Sequence, residues 1–229
     1  MDDARTNGTF STCVLSRKFL HIDKAVQIIR ASPMKPEDFL KFSFVRNPWD
    51  RIFGGYRSKF ILAQQVDTRA CPEKGKLAPF AQHVVDSVQQ RRSEAKVDGI
   101  SFRDFVEYSA ITNDHQLDIH WCSQSYLLAG YQPDVVGHFE RLAEDFAPIL
   151  HHSRKQGYSV TAPPLTPKPH PSTCSSGTPG QYADICHLSL TGLDVTQIHP
   201  IDFYTPEIVE LVNKRFEYDI RRFGFSYKC

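Results

Sequence analysis

"KFSFVRNPWDRIFGGYRSKF", Lys41 to Phe60, decides how the rest of the chain is read. The run "FLKFSFV" (39–45) is short and almost wholly apolar. It predicts a strand buried on both faces, as in a parallel sheet. Residues 48–64 predict a helix, with Trp49, Ile52, Phe53, Tyr56, Phe60 and Ala63 along one side. Asn47 suits the N-cap, Pro48 the first helical position and Asp50 the third. Arg46 therefore emerges at the carboxyl edge of the strand, where open α/β sheets bind their ligands. The helix N-terminus beside it offers N–H groups and partial positive charge, and Arg46 adds a planar, permanently charged fork. Such a corner suits phosphate. Gly54 and Gly55 each weaken the helix by about 1 kcal/mol against alanine. That cost on adjacent residues implies close approach by a backbone or a ligand. Spacing alone leaves a second reading open, in which Arg46 and Arg51 pair with acidic neighbours such as Asp50 and the glycines mark a helix-packing contact.

Outward from this stretch, the pattern alternates strands and helices. Residues 21–31 suit a helix that ends at Pro33 and Pro36. Residues 81–95 predict a polar-faced helix, and Ser101 with Asp104 three residues later predicts a capping box. Residues 112–125 read as polar and irregular. "PDVVGHFER" (133–141) predicts a second strand, followed by a helix that Gly157 stops. Residues 163–180 hold six prolines and predict a surface loop within a wider insertion, 158–202. The last helix starts at Thr205, Pro206 and Glu207 and stops at Gly224, with an apolar stripe through Ile208, Leu211, Val212, Phe216, Ile220 and Phe223. Strand–helix alternation predicts an α/β fold with a parallel sheet, in a single domain over 1–229 with a poorly defined start, 1–18.

The composition of the 229 residues is ordinary for a globular chain, 41% hydrophobic and 23% charged. The net charge of +1 excludes a global field for nucleic acid or an anionic membrane, so any anion site is local. No apolar run reaches the ~18 residues a membrane span needs. The six cysteines form no C-x-x-C pair and read neither as zinc ligands nor as a disulfide scaffold.

"FSFVRNPWDRIFGGYRSKF" resembles the 3′-phosphate-binding segment of the carbohydrate sulfotransferases, the family of the chondroitin and HNK-1 sulfotransferases and their microbial relatives. "NDHQLDIHWCSQSYLL" resembles that family's His-Trp…Gln segment. "DVVGHFERLAEDFAPIL" resembles its Val-Gly-x-Phe-Glu block, and "FYTPEIVELVNKRFEYDIRRFGFSY" its terminal helix. These blocks cover 19–60, 113–150 and 203–227 in the right order. The resemblance implies a three-layer α/β fold of the P-loop nucleotide-enzyme type. It also implies use of PAPS (3′-phosphoadenosine 5′-phosphosulfate), a glycan or other hydroxyl-bearing acceptor, and no metal. It makes Arg46 a ligand of the 3′-phosphate. Where the family usually has a phosphate-binding serine, this chain has Gly54, and the lost bond to a charged group is worth roughly 1.5–3 kcal/mol.

Sulfuryl transfer needs a base for the acceptor hydroxyl, and histidine suits that task near neutral pH. Among ten histidines, His21 lies 25 residues before Arg46, as the base does in related sulfotransferases, and is the expected base; an exposed helix-start histidine is the plainer alternative. His120 is the second candidate. His115, His120 and Cys122 make a weak metal set, and Glu140 either orients a basic ligand or forms a salt bridge. The family's Pro-Lys loop for the 5′-phosphosulfate has no counterpart among residues 1–20, where Lys18 is a poor substitute, as is Lys24 beyond them. The chain is therefore expected to begin after the first strand and its loop, as a fragment or a degenerate paralogue. A non-catalytic binding protein is the alternative function. Animal members are anchored in the Golgi membrane with lumenal domains, and microbial ones are often soluble in the cytoplasm; this chain shows no anchor.

Overall fold

A computed structural model describes residues 40–65, 77–92, 99–129, 132–155, 177–194 and 198–227. His21, the helix predicted over 21–31 and residues 163–176 of the proline-rich loop lie outside the described residues.

Strand β1 (Phe42–Val45) pairs in parallel with β2 (Val135–His138), placing Phe42 opposite Val135 and Val45 opposite His138. Asp134 secures the start of the pair, its carboxylate accepting from the Lys41 N–H at 2.8 Å. Among the described residues the sheet has these two strands. A helix follows each strand, α1 (Pro48–Tyr56) after β1 and, further on, α6 (Leu142–Lys155) after β2, giving a mixed α/β architecture. The expected burial of β1 on both faces is corrected. Val45 is buried, but Phe42, at the start of a sheet that has two strands among the described residues, is 42% exposed although its ring meets Phe44 and Phe146 of α6.

The helix predicted over 48–64 runs to Gln65, but not with one period. A π-helical turn at Arg57–Ile61 joins α1 to α2 (Leu62–Gln65). Phe60 and Ile61, both in that turn, are wholly buried in the core. Tyr56 stacks on Phe60, and both meet Phe105 of α4 (Phe102–Ile111). Helix α3 (Pro79–Arg91) adds Ala81, Val84, Val85 and Val88 to the same core. Ser101 and Asp104 form the predicted capping box of α4.

Residues 112–125 are irregular, as predicted, but not a polar surface. Trp121 to Ser125 are all buried, and the short helix α5 (Gln124–Leu127) starts among them. After the short helix α7 (His187–Leu190), the single helix expected at the C-terminus is two, α8 (Pro206–Arg215) and α9 (Glu217–Phe223), broken at Phe216. Thr205 caps α8, and Gly224 closes α9 in the left-handed conformation (φ 69°) that glycine adopts without strain. The described residues from Lys41 onward belong to one compact unit, Lys41–Cys229. Among the described residues no helix is long and apolar enough to cross a membrane.

Candidate functional site

β1 delivers Arg46 to the carboxyl edge of the sheet, and a side-chain amide fixes it there. The Arg46 N–H donates to Gln124 Oε1 at 2.7 Å, and Gln124 Nε2 donates back to the Arg46 carbonyl at 2.7 Å. Gln124 is itself held from α9. The wholly buried Asp219 carboxylate accepts from the backbone N–H groups of Gln124 (2.7 Å) and Ser125 (2.8 Å), capping α5. Glu140, in the turn after β2, accepts from the Asn47 N–H at 2.7 Å. Two distant segments therefore converge on the Arg46–Asn47 backbone, and a third, at Asp219, holds the first of them.

These contacts correct the expectation of open N–H groups at the start of α1. Asn47 Oδ1 accepts from Trp49 (3.0 Å) and Asp50 (3.4 Å), and the Asn47 carbonyl accepts from Arg51. Glu140 takes the Asn47 N–H, and Pro48 has none. The caps consume the donors that an anion would otherwise use, so anion binding here rests on the Arg46 side chain and the helix dipole.

The glycine pair now has a cause. A Cβ on Gly54 would stand 3.2 Å from Arg46 Nη1, and one on Gly55 would stand 3.4 Å from the Trp121 ring. The Arg46 guanidinium lies against Gly54 and under the Phe139 ring, 5.6 Å from its centroid. Gly54 makes room for the cation, and Gly55 for the indole. At Gly55 the packing reading holds, and at Gly54 the close approach is that of the Arg46 side chain.

Burial pushes the Arg46 guanidinium below its ordinary pKa, against the pull of Asp50 and Glu140. Burial also pushes the Asp50 carboxyl up to about 6, with Arg46 opposing and Glu140 adding to the rise. Arg51 does not pair with Asp50. Its guanidinium donates to the carbonyls of Cys122 and Ile119, the latter at 2.6 Å, and so pins the His-Trp segment to α1. Glu140 orients backbone rather than forming a salt bridge. His120 lies with Nδ1 against the Asp118 carboxylate and its ring stacked over Phe80. Among the described residues no three His, Cys, Asp or Glu side chains gather as a metal site, so His115, His120 and Cys122 do not form one.

Sequence reasoning singled out Arg46 and Gly54, and the structure brings them together. It missed the roles of Gln124 and Asp219. Asp219 carried a signal: it stands three residues after Phe216 and four before Phe223, inside the apolar stripe, where an acidic residue needs a buried partner.

The chain is 28% identical over 141 residues to human carbohydrate sulfotransferase 10, covering 56% of this chain and 36% of that one. It is 28% identical over 124 residues to the Gallus gallus protein of the same name, covering 49% and 32%. With human carbohydrate sulfotransferase 14 it shares 24% identity over 145 residues, covering 57% and 35%. The chain thus spans about a third of the length of the curated relatives it matches. No solved structure matches it. The sulfotransferase family pattern matches residues 25–226, nearly the whole chain, and the chain belongs to the sulfotransferase family.

Proposed function

We propose that this chain binds PAPS through Arg46 and transfers its sulfuryl group to a carbohydrate hydroxyl, within a three-layer α/β fold. The observation that carries the reading is the seat of Arg46: a guanidinium at the carboxyl edge of β1, laid on Gly54 and fixed through Gln124. A planar cation held there suits a phosphate, which it can meet with two parallel hydrogen bonds. When bound, PAPS supplies the activated sulfuryl group. Arg46 holds its 3′-phosphate, Gln124 and Glu140 hold the backbone that carries Arg46, and His21 takes the proton from the acceptor hydroxyl.

The test is transfer of radiolabelled sulfate from PAPS to a mixture of neutral and uronic-acid-containing oligosaccharides by the 229-residue chain. The reading predicts labelled glycan, and a drop of roughly 100-fold or more in His21→Ala, the span a positioned general base supplies. Unchanged turnover in that variant removes His21 from the mechanism. A second reading, a non-catalytic nucleotide- or glycan-binding protein, is favoured by Gly54 standing where the family has serine. Binding without transfer supports it.

Gly54→Leu separates fold from donor binding. Leucine favours the helix over glycine by about 1 kcal/mol, which offsets the cost of displacing the Arg46 guanidinium 3.2 Å away, so the thermal midpoint should stay within a few degrees of wild type. Its side chain would occupy the place of the Arg46 guanidinium, so affinity for adenosine 3′,5′-diphosphate should fall at least about tenfold, a loss of ~1.4 kcal/mol. Thermal denaturation and calorimetry on the same sample check both halves.

A further inference from the structure

We infer that Asp50 is the charge-balancing residue of this site, taking up a proton from solvent as a 3′-phosphate settles on Arg46. The inference rests on reading Arg46 as the phosphate ligand. Asp50 stands at the third position of α1, where a carboxylate ordinarily reaches back to the N-cap N–H. Glu140 already holds that N–H. Asp50 is left 8% exposed, and its Oδ1 is buried without a hydrogen-bond partner among the described residues. An ionised carboxylate only accepts, whereas a protonated one can also donate.

The groups that face Asp50 are Arg46 from the end of β1, Glu140 from the turn after β2, and Tyr204 from the segment before α8. The Tyr204 hydroxyl donates to the Trp49 carbonyl at 2.7 Å, and burial first, then Asp50, holds it far above its ordinary pKa, so it stays neutral. Among the described residues Asp50 therefore faces one fixed positive charge, Arg46, and a second carboxylate, Glu140, before any ligand arrives. A phosphate dianion adds two more negative charges. Added negative charge favours the neutral form of a neighbouring carboxyl, and Asp50, buried with its Oδ1 unpaired among the described residues, takes the proton at least cost.

The sign follows directly. Asp50 in the free protein titrates at about 6, against an ordinary 3.8. A bound phosphate raises it further, so near pH 7 the complex holds more protons than its parts. Donor affinity falls as pH climbs from about 6 through the higher pKa of the complex. Below about 6 Asp50 is already protonated and contributes no slope, while the phosphate's own second proton, with a pKa of about 6, acts there in the opposite sense.

The experiment is calorimetric titration of the whole chain with adenosine 3′,5′-diphosphate at pH 7.5, in two buffers of different ionisation heat. The expected result is a net uptake of a fraction of one proton per site. Asp50→Asn should abolish that uptake and tighten binding at this pH by roughly tenfold, the effect of about one pKa unit between free and bound states. Adenosine 5′-monophosphate, without the 3′-phosphate, should cause little uptake. Binding without uptake overturns the inference, as does uptake that persists in Asp50→Asn. If Asp50→Asn does not fold, the wild-type uptake measured against pH decides, and it must rise above pH 6 and vanish at high pH. Failure of the folded wild type to bind the diphosphate at every pH overturns the reading of Arg46 itself, a different outcome from binding without uptake.

Discussion

Asp219→Ala is expected to lower the free energy of unfolding by about 3–5 kcal/mol, the largest effect of any single change at this site. Its carboxylate is wholly buried and accepts from two backbone N–H groups, Gln124 and Ser125. Alanine leaves both donors buried without partners, and each unsatisfied group costs roughly 1–3 kcal/mol. For a chain of this length that loss is a fall of roughly 10 °C in the thermal midpoint. Asp219→Asn keeps one acceptor oxygen and should lose less than half as much. The consequence reaches the site, because Gln124 both receives this cap and clamps Arg46. Donor affinity in any folded Asp219→Ala protein should fall as well. A midpoint within 2 °C of wild type would show that the cap is not what holds α5 to α9.

Arg46→Ala should do the reverse, sparing the fold and removing the ligand. The side chain lies partly open, and its backbone bonds to Gln124 do not depend on its identity. What disappears is the cation opposite Asp50 and Glu140. Truncating one partner of a desolvated charge pair costs about 2–5 kcal/mol in binding, so affinity for adenosine 3′,5′-diphosphate should fall about 30- to 1,000-fold. Arg46→Lys should recover only part of it, since an ammonium keeps the charge but not the planar fork. Equilibrium titration beside a thermal melt checks both claims.

Much of the frame of this site was legible in the sequence. An apolar run ending at Arg46, then Asn and Pro, specifies a strand, a cap and a first helical turn by local chemistry alone, and Asn47 and Pro48 take those places. Ser101 with Asp104, Thr205 with Pro206, and Gly224 are local in the same way. The features that escaped are those set by distant partners. Asn47 promised an anion-binding helix start, but whether its N–H is open depends on Glu140, 93 residues away. Gln124 reads as one polar residue in a polar stretch until the 78-residue separation to Arg46 is closed in space. The π turn at Arg57–Ile61 escaped because apolar periodicity averages over one extra residue, and the break at Phe216 because the i to i+4 bonds on either side of it keep the stripe in phase. Gly54 and Gly55 announced close approach, but their neighbours, a guanidinium on one and an indole on the other, come from the preceding strand end and a segment 66 residues later.

The most direct test of the central claim, that Arg46 holds a 3′-phosphate, is a thermodynamic cycle. Wild type and Arg46→Ala are each titrated with adenosine 3′,5′-diphosphate and with adenosine 5′-monophosphate, which differ only in that phosphate. The account predicts that the wild type prefers the diphosphate by about 30-fold or more, and that Arg46→Ala binds the two nucleotides almost equally, a coupling of ~2 kcal/mol or more between the side chain and the phosphate. A preference for the diphosphate that survives intact in Arg46→Ala would contradict it and place the phosphate elsewhere on the chain.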